Sequence, residues 1–399
     1  MNILFFFELR RLFCILEFNF TIREFEAKGV SSDKYFPMDK NHYCVIMAGG
    51  VGSRFWPLSK NKQPKQFLDI LGTGKTLIQL TFERFASICP VENFFVVTNA
   101  NYKDLVLQQL PDIKEDQVLL EPIRRNTAPC IAYANYKIQK RNPNASIVVT
   151  PADHLILNET KFLTVLSEGI QFVQAGNQLL TLGIHPSRPE TGYGYIQVSN
   201  KAVQDYADVY PVKTFTEKPH LELAKIFQES GEFFWNSGIF IWKLTAIQEA
   251  FKKYLPDVNA LFERSFEKLD TPQEQEVIDE IYPECQNISI DYGILEKSEN
   301  VFVYCSEFGW SDLGTWGSLY EHTAKDNNKN AIQGENVMLY ESKNCLINVP
   351  NDKLVVVQGL KDYIVVETDN TLLICPKRDE QEIRKIVNDV KITKGKKFI

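Results

Sequence analysis

Short apolar runs alternate with amphipathic stretches through most of the chain. YCVIMA, NFFVVTN, SIVVTPADH and LLTLGI are rich in Val, Ile or Phe, the texture of strands buried on both faces. Helical patterns such as TLIQLTFERFASI and TAPCIAYANYKIQKR separate them. Strand–helix alternation of this kind predicts an α/β fold with a mostly parallel, Rossmann-like sheet and helices on both faces. The first strand is read over Tyr43 to Met47. Ligands collect at the carboxyl ends of strands in such sheets, and MAGGVGSR and TPADH both fall at such ends.

The texture changes near Gln333. NVMLYESKNCLINVP, KLVVVQGLKDYIVVET and NTLLICPK are β runs separated by polar turns with no helix between them, and a last helix is read in RDEQEIRKIVNDV. Residues 38–330 are therefore expected to form the main domain and 331–399 a small β-rich one. Residues 1–37 are strongly apolar but interrupted by Glu8, Arg10, Arg11 and Glu17. They are too broken for a membrane span and lack the features of a signal peptide. They read as a misassigned start or a weakly ordered extension, with Met38 the natural beginning.

Composition narrows the class. A chain of 399 residues with 44% hydrophobic and 24% charged residues can bury a sizeable core and is ordinary for a globular protein. A net charge of −7 argues against a nucleic-acid partner, which usually meets a basic face, but leaves small anions open. The eight cysteines are scattered with no CxxC pair, as expected of reduced thiols in a cytoplasmic protein, and the five histidines lack zinc-like spacing.

The chemistry concentrates in VIMAGGVGSRFWPLSKNKQPKQF, from Val45 to Phe67. A dinucleotide fingerprint would need a third glycine where Phe55 stands, and the GTGKT at Gly72 to Thr76 lacks the earlier glycine of a Walker loop, Asp69 standing there. Glycines still let backbone N–H groups face an oxyanion. Arg54 can fork onto phosphate oxygens and Lys65 supplies a compact charge. The segment reads as a phosphate loop.

At this point the sequence resembles the sugar-phosphate nucleotidylyltransferases and, among them, the bacterial mannose-1-phosphate guanylyltransferases. The likeness runs from about His42 to Tyr320. It is carried by MAGGVGSRFWPLSKNKQPKQF, EPIRRNTAPCIA, TPADHLI, ETGYGYIQ, FTEKP, FFWNSGIFIW, SIDYGILEK and WSDLGTW, in the family's order. It implies a glycosyltransferase-A-like catalytic sheet followed by a left-handed β-helix-like domain. It further implies attack of a sugar 1-phosphate on the α-phosphate of a nucleoside triphosphate with release of diphosphate, a reaction run by positioning and charge neutralisation. Nothing in the chain suggests a catalytic nucleophile.

The resemblance also assigns residues. Mg2+ would be held by Asp153 and Asp312, Asp153 being otherwise readable as a helix cap. Ala48, Gly49, Gly50, Gly52, Ser53, Arg54, Lys65, Arg124, Asn126 and Thr127 are expected on the nucleotide, with Arg54 and Lys65 holding the triphosphate. Lys218 would grip the sugar phosphate, and Glu190, Glu217 and Asn236 would meet sugar hydroxyls, with Gly192 allowing close approach. Arg54, Lys65, Asp153 and Lys218 form the expected catalytic set. GTP and mannose 1-phosphate are the expected substrates, with no nucleic acid or membrane partner; oligomeric state is left open, a homodimer included. Relatives with a cupin-type isomerase domain are longer, so no mannose-6-phosphate isomerase activity is expected. The rivals are a thymidylyl- or uridylyltransferase of the same fold and a catalytically silent nucleotide-sugar sensor.

Overall fold

The computed structural model describes residues 38–399; the reading of residues 1–37 lies outside them. In chain order the strands are β1 (His42–Met47), β2 (Phe94–Asn99), β3 (Val118–Glu121), β4 (Ser146–Pro151), β5 (Leu155–Ile156), β6 (Leu179–Ile184), β7 (Gly194–Val198), β8 (Val209–Glu217), β9 (Phe233–Lys243), β10 (Val301–Ser306) and β11 (Trp310–Ser311). Nine of them form one sheet in the order β3-β2-β1-β4-β9-β6-β10-β8-β7. The apolar runs predicted as buried strands lie at its centre: the side chains of Cys44, Val45 and Ile46 are fully covered, as are all six positions of β6.

The parallel pairing is concentrated in one half. β3, β2, β1 and β4 run parallel, each joined to the next through a helical crossover such as Leu77–Phe85 or Thr127–Arg141. Beyond β4 the sheet is mixed, because β9 enters antiparallel between β4 and β6, and β7 and β8 pair antiparallel. The physical reason is connectivity: no helix separates β7 from β8, so the chain turns straight back, whereas a parallel neighbour needs a long crossover.

Two further features aim the chain at the strand ends. β5 and β11 form a short antiparallel ladder, Ser311 opposite Leu155 and Trp310 opposite Ile156. It ties the segment after β4 to a segment far downstream. The C-terminal residues then fold as predicted into β-rich coils: β12 (Ala331–Gln333), β14 (Leu346–Asn348) and β16 (Tyr363–Thr368) stack in parallel on one face and β13 (Val337–Tyr340) on β15 (Val355–Gln358) on another, with β17 (Thr371–Pro376) closing antiparallel on β16. Cys345, Ile347, Val349, Val357 and Val365 fill their interior. The seven described cysteines are all unpaired.

A shared core joins these coils to the phosphate loop. Phe55, Trp56, Leu313 and Trp316 pack with Leu346, Ile364, Leu373 and Ile383 in one buried cluster. The indole of Trp56 donates to the carbonyl of Phe398 at 2.7 Å. Among the described residues no helix is long and apolar enough to cross a membrane. Phe55 is fully buried with its ring 4.9 Å from that of Trp316. Phe55→Ala is therefore expected to lower unfolding free energy by about 3–5 kcal/mol, measured by urea denaturation.

Candidate active site

The phosphate loop leaves β1 at Met47 and is held open by side chains below it. Gln66 donates from Nε2 to the carbonyls of Ala48 (2.8 Å) and Gly50 (3.0 Å). Thr98 adds a bond to Ala48 at 2.9 Å. Gly52 has φ +70°, and a Cβ there would lie 2.4 Å from Lys65 Cβ. That position demands glycine twice, for its backbone and for the lysine passing beneath it. Gly50 faces open space, and Ser53 starts the 3-10 turn Ser53–Phe55 that carries Arg54.

Lys65 differs from expectation. Its side chain is only 3% exposed, and Nζ lies 2.9 Å from Asp153 Oδ2. It also donates to the main-chain carbonyls of Asp153 (3.1 Å) and Asp312 (2.6 Å). The sequence reading set this ammonium against a triphosphate; in the structure its hydrogens are directed at these three acceptors, and it ties the Asp153 carboxylate to the main chain of Asp312. Arg54 is the opposite case. Its Nε is buried without a partner, and no ion pair or side-chain hydrogen bond to it forms among the described residues.

The β5–β11 ladder holds the segments that flank the two aspartates, and Lys65 bonds to both of their main-chain carbonyls. Partial burial pushes the Asp153 carboxyl up, but Lys65, through its charge and its hydrogen bond, outweighs it and holds it below the ordinary carboxylate range. Asp312 Oδ1 accepts the hydroxyl of Tyr193 at 2.6 Å and the N–H of Gly314 at 2.8 Å, while Oδ2 accepts no bond from the described residues. These are two hard oxygen donors with the character a magnesium ion takes. No group of three or more His, Cys, Asp or Glu side chains forms a metal cage among the described residues. Magnesium usually takes only one or two carboxylates and fills its remaining positions with phosphate and water.

A cleft of about 220 Å³ opens beside them. Of the residues read from the sequence, Thr127, Gly192, Glu217, Asn236 and Asp312 line it. Asn236 donates to Asp291 Oδ1 at 2.7 Å, and its own Oδ1 accepts from Thr181 and Gly238. Asp291 is pushed up by burial and by Glu217. Glu190, Lys218, Arg124 and Asn126 are not among the lining residues. Glu190 spends its oxygens on the Gly192 N–H (3.0 Å) and on Arg188 (2.9 Å), so it shapes the loop. Lys218 is exposed and pairs with Glu217. Arg124 and Asn126 are exposed beyond β3, and Thr127 also holds the N–H of Ile290 at 2.9 Å.

Several participants escaped the sequence reading although the quoted motifs contain them. Asp291 lies in SIDYGILEK, Tyr193 in ETGYGYIQ, Gln66 in the loop itself and Glu121 in EPIRRN. Glu121 is 5% exposed, and its Oε2 lies 3.1 Å from where a Cβ on Gly49 would stand. Its other oxygen accepts the Tyr282 hydroxyl. Burial raises this carboxyl to about 6, against the Tyr282 bond and Arg124. The signal missed was a carboxylate closing an apolar strand.

Residues 43–329 match the Nucleotidyl transferase family, and residues 334–390 match the MannoseP isomerase/GMP-like beta-helix domain. A mannose-1-phosphate guanylyltransferase of Salmonella montevideo is 36% identical over 354 residues, spanning 87% of this chain and 74% of the relative. One from Escherichia coli (strain K12) is 35% identical over 355 residues, spanning 88% and 73%. A solved structure described as a mannose-1-phosphate geranyltransferase from Thermus thermophilus superposes with a TM-score of 0.79 at 29% identity, covering 88% of this chain and 99% of that one.

Asp153→Asn, in metal-free buffer at pH 7, should cost about 1–3 kcal/mol by leaving the buried ammonium without its carboxylate. A carboxyl with a depressed folded pKa stabilises above its unfolded pKa and loses that contribution as pH falls through the folded value. The gap between wild type and variant in urea denaturation should therefore narrow from pH 7 to pH 3.

Proposed function

The chain belongs to the nucleotidyl transferase family and, within it, to the mannose-1-phosphate guanylyltransferases, and on that premise we propose that it converts GTP and α-D-mannose 1-phosphate to GDP-mannose and diphosphate. An oxygen of the sugar phosphate attacks the α-phosphorus in line, the bond to the β-phosphate bridge breaks, and diphosphate leaves with its electron pair. No enzyme nucleophile is needed, so the protein's contribution is alignment and charge. The observation that carries this reading is the buried Lys65 bridge, which ties Asp153 to the main chain of Asp312 beside a glycine turn that bears Arg54.

Each residue then has a task. Arg54, which forms no ion pair among the described residues, suits the triphosphate and the departing diphosphate. The N–H groups of Gly49, Gly50 and Ser53 sit on a loop kept open by Gln66. Lys65 acts as a brace, holding Asp153 ionised and fixing the Asp312 turn. Asp153 and Asp312 would hold magnesium, which supplies charge neutralisation to the phosphates when bound. Glu217 and Asp291 line the cleft with acceptors for sugar hydroxyls, and Asn236 offers its second amide hydrogen to a hydroxyl oxygen. Lys218, exposed and paired with the cleft residue Glu217, would meet the sugar's phosphate.

Guanine preference is supported by Glu121. A carboxylate oxygen facing Gly49 can accept from the N–H groups on guanine's pairing edge, and a buried acceptor left unpaired by the wrong base is costly. Glu121→Gln should therefore erode the ratio of GTP to other nucleotides by about tenfold. Because the ratio is taken within one variant, lost stability does not move it.

The primary test is diphosphate release from GTP, ATP, UTP and dTTP against mannose 1-phosphate and glucose 1-phosphate. GTP with mannose 1-phosphate should be fastest; a tenfold advantage for UTP or dTTP would overturn the guanylyl reading. Asp312→Asn should lower turnover by about 10²-fold or more. Turnover unchanged in magnesium would remove Asp312 from the proposed metal pair.

A further inference from the structure

His154 follows Asp153 directly and has no role in the reading above. Its ring lies edge-on to Trp310, and the Trp310 indole N–H donates to His154 Nδ1 at 3.1 Å. An indole nitrogen is a donor only. Nδ1 must therefore keep its lone pair, and the ring proton of the neutral imidazole sits on Nε2. The β5–β11 ladder pairs Trp310 with Ile156, two residues beyond His154.

Nε2 takes no bond from the described residues. His154 lines the 220 Å³ cleft, and its Cε1 lies 4.0 Å from where a Cβ on Gly238 would stand, on the opposite wall. Three lining residues carry side-chain nitrogens: His154, Asn236 and Trp310. Trp310 has spent its N–H on His154, and Asn236 Nδ2 has spent one of its two hydrogens on Asp291. The rest of the ionisable lining is dominated by acids: Glu217, Asp291 and Asp312. An anionic reactant entering such a cleft needs side-chain N–H donors, and His154 Nε2 and the second Asn236 amide hydrogen are what the lining side chains offer.

We propose that His154 contacts substrate, its Nε2–H donating to a phosphoryl oxygen of the sugar 1-phosphate. The proposal rests on the function given above and adds a residue to it. Trp310 is then a positioning residue, since its donor-only nitrogen selects the tautomer that aims a proton into the cleft. An uncharged donor suits this place: a cation there would form an ion pair with Asp312 or Asp291 and be withdrawn from the substrate.

Two substitutions separate contact from packing. His154→Asn keeps an acceptor near Trp310 but is too short to present a donor in the cleft. His154→Gln reaches to the Nε2 position with an amide N–H. The Asn variant should raise KM for mannose 1-phosphate by about 10- to 100-fold, the worth of a hydrogen bond to a charged group, with KM for GTP unchanged. The Gln variant should recover a large part of that loss. Calorimetric titration of mannose 1-phosphate into wild type and His154→Asn gives an independent reading, expected to show the same loss in Kd. Equal Kd values overturn the proposal. So do equal losses in both variants that track a fall in Tm, since those mark a packing role. If wild type turns over no sugar 1-phosphate with any nucleotide, the proposed function fails, and the two Kd values still decide the role of His154.

Discussion

The site depends on one buried ammonium. Taking Lys65 out of water costs several kcal/mol, and the cost is offset only if its acceptors stay where they are. Two are the main-chain carbonyls of Asp153 and Asp312, and the third is the Asp153 carboxylate. The acceptors come from segments far apart in sequence, so the ion pair acts as a clamp between two strand ends. Gly52 is part of the same constraint, because any side chain there would strike Lys65 Cβ. Glycine, lysine and two aspartates, separate marks along the chain, answer to a single geometric demand.

The C-terminal coils share in that demand. Glu380 accepts the Gly317 N–H at 2.6 Å, capping the helix Trp316–His322 that begins just beyond the Asp312 turn. Its carboxyl is raised by burial and by nearby Glu190, and lowered by the Gly317 and Thr315 bonds and by Arg54. Trp56, at the far side of the phosphate loop, is held by the Phe398 carbonyl. A loop that must present backbone N–H groups to an anion cannot rely on glycines for rigidity. Here a shared apolar core and two polar contacts from the C-terminal residues supply it, which ties a segment without catalytic motifs to the shape of the site.

What was legible in the sequence was local. Runs such as SIVVTP declare a buried strand through their own composition, and the glycine–arginine loop declares an anion through its own residue types. The family likeness reached the aspartates. What was not legible depended on partners distant in the chain. Lys65 could be read as cationic, but not that its charge would be spent on Asp153 and Asp312. Tyr193 and Asp291 stood inside quoted motifs without a role, because the groups they touch, Asp312 and Asn236, come from other elements. The mixed half of the sheet was hidden for a similar reason: β9 is an ordinary apolar strand by composition, and only the three-dimensional path runs it antiparallel between β4 and β6.

The charges of the two flanks differ in a way that bears on selection. On the loop side the guanidinium of Arg54 forms no ion pair among the described residues, with Glu380 its nearby acid, whereas the cleft side is lined by Glu217, Asp291 and Asp312. Carboxylates accept hydrogen bonds and repel anions, so an acid-lined wall favours a ligand rich in hydroxyl donors. Inorganic phosphate offers little to such a wall, and a second nucleotide would bring its charge into it. A sugar 1-phosphate offers hydroxyls to the acids and keeps its charge at one end, toward Lys218 and the loop. On the proposed function, the asymmetry would orient the two reactants before any bond changes: the more highly charged one toward the glycine loop, and the polyol toward the acidic cleft.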